Sequence, residues 1–417
     1  MRLKWQTLAL GWLVLGLGAV AHAQDIDPEA GREATLPDVP PPADILPTLA
    51  APADSLWTQD FVIELLSVID GVSAEGLKPE SYAPDKLREA LATNDPAQYG
   101  PLATAAWLKL AHDFGNGYVP NEARLDWHME ALADDQNVDM SSLYGALASG
   151  QIRDTLMGRL PTNGQYQSLK DKLAATPATD KDTIDRVRVS LERWRWMPRD
   201  FGSDYIFVNV PAFNVAMVRD GRALARHKVI VGKAKTPTPQ LFVQATGVIL
   251  NPTWTVPQSI IRESVGAMMQ KNPKKARAQG YIMTRNEDGS VKVVQGPGTA
   301  NALGAMKLVM PNPHSIYMHD TPAKSLFESK IRAFSHGCIR TDKALNFASV
   351  MLRGTPGWSL AKIEQTVAAK KTIKVELVKP VNVLITYLTA VVEDNGVLKT
   401  YNDIYGRDAP VVAALDQ

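Results

Sequence analysis

The sequence predicts an α+β chain: an N-terminal α-helical domain, then a mostly β domain, a mixed sheet or sandwich, carrying a capping insertion. Apolar residues recur at helical spacing from about 56 to 198, then give way to short β-branched and aromatic runs broken by Gly and Pro. A length of 417 residues exceeds one ordinary domain, so two or three are expected, and a hydrophobic fraction of 45% suffices to pack their cores.

The first segment is a leader. Met1-Arg2-Leu3-Lys4 is basic, an apolar run follows from Leu8 to Val20, and Ala21-His22-Ala23 offers a small-x-small cleavage site. This is the pattern of a secretory signal peptide over 1–23. The run is short against the ~20 residues a bilayer span needs. Retained rather than cleaved, it would tether the chain to the inner membrane. Residues 24–55 are rich in Pro, Ala and Asp and read as a flexible linker.

The helical domain is expected over 56–200. Phe61, Ile63, Leu65, Leu66, Val68 and Ile69 are spaced for one helix face. Further helices are read at 85–91, 102–112 and 183–196, the last stopped by Pro198. Residues 113–118, with two glycines, read as a loop, and His112 and His128 as structural.

The β domain is expected over 201–410. Strands are read at 205–210, 213–218, 224–231, 243–250, 291–294, 373–377 and 383–392. Asp220-Gly221 is a hairpin turn, because both residues tolerate positive φ. Residues 258–280 break the β pattern with Ile260, Val265, Met268 and Met269 among many Lys and Arg, a helical or irregular insertion able to cap a cleft.

Composition narrows the function. Lys+Arg 45 against Asp+Glu 44 removes the electrostatic case for nucleic acid as a partner. The single cysteine, Cys338, has no intramolecular disulfide partner in a chain that reads as exported. It is either a small buried hydrophobe or a reactive thiol. Its setting, Ser335-His336-Gly337-Cys338-Ile339-Arg340, with His319 upstream, favours reactivity. A thiolate attacks a carbonyl, a thioester forms, and a second nucleophile releases it, with histidine moving the proton. Gly337 lets its own N–H and that of Cys338 face the developing oxyanion. No metal or other cofactor is expected: His314 and His319 are five apart without a third ligand at recognised spacing.

His319, a gap of 15 residues, then Ser335-His336-Gly337-Cys338 resembles the signature of the L,D-transpeptidases, exported bacterial enzymes of peptidoglycan. The resemblance extends to Asn301-Ala302-Leu303-Gly304 with Lys307, to Pro311-Asn312, and to Ile316-Tyr317-Met318-His319-Asp320-Thr321-Pro322. Residues 191–198, 251–257 and 403–408 are similar to the longer, multidomain Gram-negative branch, which implies a periplasmic location. The resemblance implies that Cys338 attacks the L,D amide of a tetrapeptide stem and releases D-alanine. The side-chain amine of another stem then resolves the thioester into a 3→3 crosslink. It implies His319 as general base, His336 as a residue shaping the site, and Gly337 with Cys338 as oxyanion hole. Asp320 would lend its carbonyl, Ser335 would support the loop, and Arg340 and Tyr317 would contact substrate. It also implies capture by carbapenems. The 165–182 stretch is too short for the glycan-binding module that relatives on this branch carry.

Other acceptors stay open: water, a free D-amino acid, or a lysine of an envelope protein. So does a different class, a non-catalytic envelope scaffold that holds stem peptides.

Overall fold

The computed structural model describes residues 52–129, 140–287 and 289–417. The leader at 1–23 and most of the linker lie outside these. The linker expected to run to 55 gives way at Ala53–Leu56 to a 3-10 turn that buries Ala53.

Helices build the first part. Gln59–Gly71 is capped by Thr58, whose hydroxyl accepts from the Phe61 N–H, and it buries Val62, Leu65, Leu66, Val68 and Ile69. Pro84–Ala92 follows, then Pro96–Asn116. The latter runs through Asp113–Asn116, where a loop was expected. Gly115 serves close packing there rather than a turn: a Cβ would lie 3.2 Å from Arg159 Nε. Lys181–Trp196 ends at Met197, ahead of Pro198, as the proline requires.

That last helix carries the residues that join the two parts. Glu192 is fully buried; its carboxylate accepts from Val119 N at 2.8 Å, Trp196 Nε1 at 2.7 Å and Arg195 Nε at 3.0 Å. Arg195, also buried, donates onward to the Glu75 carbonyl and the Tyr166 hydroxyl. Arg193 reaches Asp408 at 2.6 Å and the Arg407 carbonyl at 2.9 Å. Buried charges persist only when paired in this way.

The strands are, in order, β1 (Trp127–His128), β2 (Asp204–Asn209), β3 (Asn214–Arg219), β4 (Arg222–Gly232), β5 (Gln240–Leu250), β6 (Trp254–Thr255), β7 (Tyr281–Arg285) and β8 (Val291–Gln295). Then come β9 (Met306–Val309), β10 (Met318–His319), β11 (Ala333–Ser335), β12 (Ile339–Thr341), β13 (Ile373–Thr386), β14 (Ala390–Val392) and β15 (Leu398–Thr400). The main sheet runs β5-β13-β2-β3-β4-β12-β10-β9, and β9 pairs back onto β5. The sheet, mixed parallel and antiparallel as expected, thus closes into a ring rather than packing as a sandwich. β13 is one continuous strand with a bulge between Glu376 and Val381, not two.

Period-two alternation sorts the two faces. Ile206, Val208, Val215, Val229, Val231 and Met318 fill the ring with the helix Ala344–Met351. Tyr205 and Phe207 point outward against Trp194 and the helical core, which Leu388, Val411 and Leu415 of the C-terminal segment also join. Residues 258–280 form a helical insertion with a five-residue π-type turn at Ile261–Val265, beside the small sheet β6-β8-β7.

Candidate active site

The site lies where the ring's shortest strands meet. β10 pairs in parallel with β12, placing Met318 opposite Ile339 and His319 opposite Arg340. β9 runs antiparallel to β10 and sets Lys307 opposite His319. Three neighbouring strands therefore bring a lysine, a histidine and an arginine to one seam, with Cys338 one residue before β12.

Cys338 is a free thiol of intermediate burial. Sγ lies 3.7 Å from the Ser315 carbonyl. Burial raises the thiol's pKa; hydrogen bonds from the Tyr317 N–H and side chain, and the charges of Lys307 and Arg340, pull it the other way. The Lys307 ammonium sits 3.9 Å from the Tyr317 ring centroid. Burial lowers the Lys307 pKa, while the thiol opposes this. Sequence reading noted Lys307 without assigning it a role. What places it in the seam is its opposition to His319 across two short strands, β9 and β10.

His319 is buried, and Nδ1 is 2.5 Å from the Asp320 carbonyl. A second backbone bond, to Leu303, also favours the protonated ring. Burial first, then the charge of Arg340, push its pKa down to about 3. The ring is therefore neutral at neutral pH. No hydrogen bond joins Sγ to either histidine among the described residues.

The remaining residues divide. Ser335 is buried; its hydroxyl donates to the Cys338 carbonyl at 2.5 Å and accepts from the Gly337 N–H at 3.1 Å. Ser335 thus braces the loop rather than lining a substrate groove. The same bond occupies the Gly337 N–H, one of the two donors expected in the oxyanion hole. Gly337 has φ +111°, and a Cβ there would come 3.0 Å from Ile316 Cδ1. Asp320, expected among substrate contacts, is buried with its carboxylate taken by the Ala305 N–H and Lys324. Its carbonyl holds His319, as the resemblance implied. His336 turns to the insertion, with Nε2 2.7 Å from Glu263, which Lys233 also approaches at 3.2 Å. Arg340 has an unpartnered buried Nε and no carboxylate partner among the described residues. His314 stacks on His128, ring centroids 4.2 Å apart.

Residues 203–361 match the family model of the L,D-transpeptidase catalytic domain, YkuD, and residues 53–173 match that of the Scaffold domain. A Haemophilus influenzae protein, provisionally named an L,D-transpeptidase, is 29% identical over 294 residues, 66% of this chain and 59% of its own length. The chain therefore spans about 59% of the curated relative it matches. An L,D-transpeptidase from Mycobacterium smegmatis aligns at 14% identity and TM-score 0.23, covering 44% of this chain and 58% of that one. L,D-transpeptidase 1 of Mycobacterium tuberculosis aligns at 15% identity and TM-score 0.20, covering 43% and 60%. Likeness at these TM-scores carries no weight for the fold. The stretch that matches the L,D-transpeptidase catalytic domain is the mostly β part, and the stretch that matches the Scaffold domain lies in the helices before it.

Proposed function

We propose that the chain is a peptidoglycan L,D-transpeptidase that works through Cys338. The observation that carries this is the seam itself: the only thiol is flanked by Tyr317, Lys307 and Arg340, with a neutral imidazole on the strand between. The sulfur attacks the carbonyl of the L,D amide in a tetrapeptide stem, and its proton passes to His319. The C–N bond breaks, D-alanine leaves as the amine with that proton, and a thioester remains. The side-chain amine of a second stem attacks the thioester carbonyl, its proton passes by way of His319 to the departing sulfur, the C–S bond breaks, and a 3→3 amide results. Arg340, lacking a carboxylate of its own, is suited to the stem's terminal carboxylate. The Cys338 N–H remains available to the oxyanion. The leader read at 1–23 supports a periplasmic location.

The test is incubation with tetrapeptide muropeptides followed by mass spectrometry. A diamino-to-diamino dimer that disappears with Cys338→Ala is expected. Tripeptide alone would make water the acceptor. Turnover unchanged in Cys338→Ala, or no carbapenem adduct on the wild type, would reject the thiol mechanism.

A further inference from the structure

A cavity lies on the outside of the ring, between the sheet and the helices. Register places Tyr205 opposite Val218 and Phe207 opposite Ala216, with Ala223 opposite Val218 on the next strand. Large rings on β2 beside small side chains on β3 and β4 leave a trough. Trp194, the start of the helix Gly164–Ala175, and the β14–β15 hairpin wall it in. Its volume is about 680 Å³, inside the ~300–1,000 Å³ span of small-molecule sites. None of its lining residues belongs to the Cys338 seam.

The lining defines a ligand class. Trp194 stacks on Phe207, centroids 6.0 Å apart and planes 14° apart, with Tyr205 and Tyr401 alongside. Trp194 is only 3% exposed, yet its indole N–H has no hydrogen-bond partner among the described residues. A buried donor left unpaired is costly unless a ligand or water meets it. The Asn214 amide lines the same trough. Its charged lining residues are paired: Arg226 with Asp394 at 3.0 Å, and Glu393 with Lys399, just outside the lining, at 3.0 Å. Aromatic faces, amide and hydroxyl edges and no surplus charge suit a neutral ring with apolar C–H faces and a polar rim. A charged stem peptide fits this lining poorly.

We propose that this trough binds an acetamido-sugar unit of the peptidoglycan glycan strand. The inference rests on the peptidoglycan reading of the Cys338 site and adds a glycan contact to it. The strand would be held by sugar at the trough while its stem peptides reach the seam.

The probe is the β-1,4 dimer of N-acetylglucosamine, titrated calorimetrically into the intact chain. Saturable binding is expected. Ala223→Trp, which fills the trough from an exposed position, should weaken it about tenfold or more. Tyr401→Ala should weaken it as well. Carbapenem acylation of Cys338 should be unchanged in both. Absence of saturable binding to the wild type, or undiminished affinity in both variants at native melting temperature, overturns the proposal. Sugar binding without any Cys338 adduct would instead leave the trough standing and remove the transpeptidase reading.

Discussion

The Thr238 hydroxyl donates to the Gly337 carbonyl at 2.7 Å, and the same oxygen accepts from the Gly232 N–H at 2.9 Å. Thr238 N donates to the Tyr405 hydroxyl, which itself donates to the Gly232 carbonyl at 2.6 Å. Tyr405 sits in the 403–408 turn, whose Arg407 carbonyl and Asp408 carboxylate Arg193 grips. A continuous path of hydrogen bonds therefore leads from the helical part to the loop bearing the thiol. Thr238→Val should cost about 1–3 kcal/mol of stability and slow carbapenem acylation of Cys338. Chemical denaturation and stopped-flow acylation read the two effects, and acylation at the wild-type rate would deny the loop any dependence on this path.

Gly337→Ala should impair catalysis more than folding. The new methyl meets Ile316 and the backbone must keep φ +111°, a strain of roughly 1–3 kcal/mol. Acylation should fall well beyond that of Thr238→Val while circular dichroism stays native. Normal acylation would show that the left-handed backbone is dispensable.

Alkylation of Cys338 by iodoacetamide should accelerate with rising pH and continue to rise beyond pH ~8.5, the ordinary thiol value. Burial raises this thiol, so its reactive form gains population only toward alkaline pH. Arg340 lowers the thiol's pKa, so Arg340→Met should move the profile further up. A plateau reached below neutrality would mean a preformed thiolate.

Glu192→Ala should destabilise the fold by about 3–5 kcal/mol, because Arg195 is left charged and buried without its carboxylate. The expected readout is a lower melting temperature with loss of cooperativity between the helices and the ring. A melting temperature within a degree or two of wild type, on the scale of ~4 °C per kcal/mol, would show that water replaces the lost partner.

Acid should weaken the fold through His319. Its folded pKa of about 3 lies below the unfolded 6.5, so between those values the unfolded chain binds more protons. Stability from this group is full above pH ~6.5 and is lost as pH falls toward about 3. His319→Gln, which cannot titrate, should flatten that part of the stability–pH curve. A curve of unchanged slope would assign the acid loss to other groups.

Much of this was legible from residue order. Asp220 and Gly221 take φ of 47° and 74°, as the hairpin between two alternating runs demands. Helices with a strong apolar face appeared where the spacing placed them. The Gly115 misreading came from a glycine used for packing against Arg159 rather than for bending the chain. Ring closure was hidden because its seam strands are too short to show alternation: β10 has two residues and β12 three. In the seam, motif spacing singled out Cys338 and His319, and the β10–β12 register sets them on neighbouring segments. The outward turn of His336 toward Glu263 was not readable, since the insertion carrying Glu263 is 73 positions away.

Those short strands have a further consequence. A closed hoop offers intruding chains no free edge, but it yields first at its thinnest span. Here that span carries Cys338's neighbours, between the long walls of β4 and β5, eleven residues each. Amide protons of β10 and β12 should therefore exchange ahead of those in the walls. The protein's reactive edge is also its most readily breathing one, so a bulky acyl donor can be admitted without the barrel coming apart.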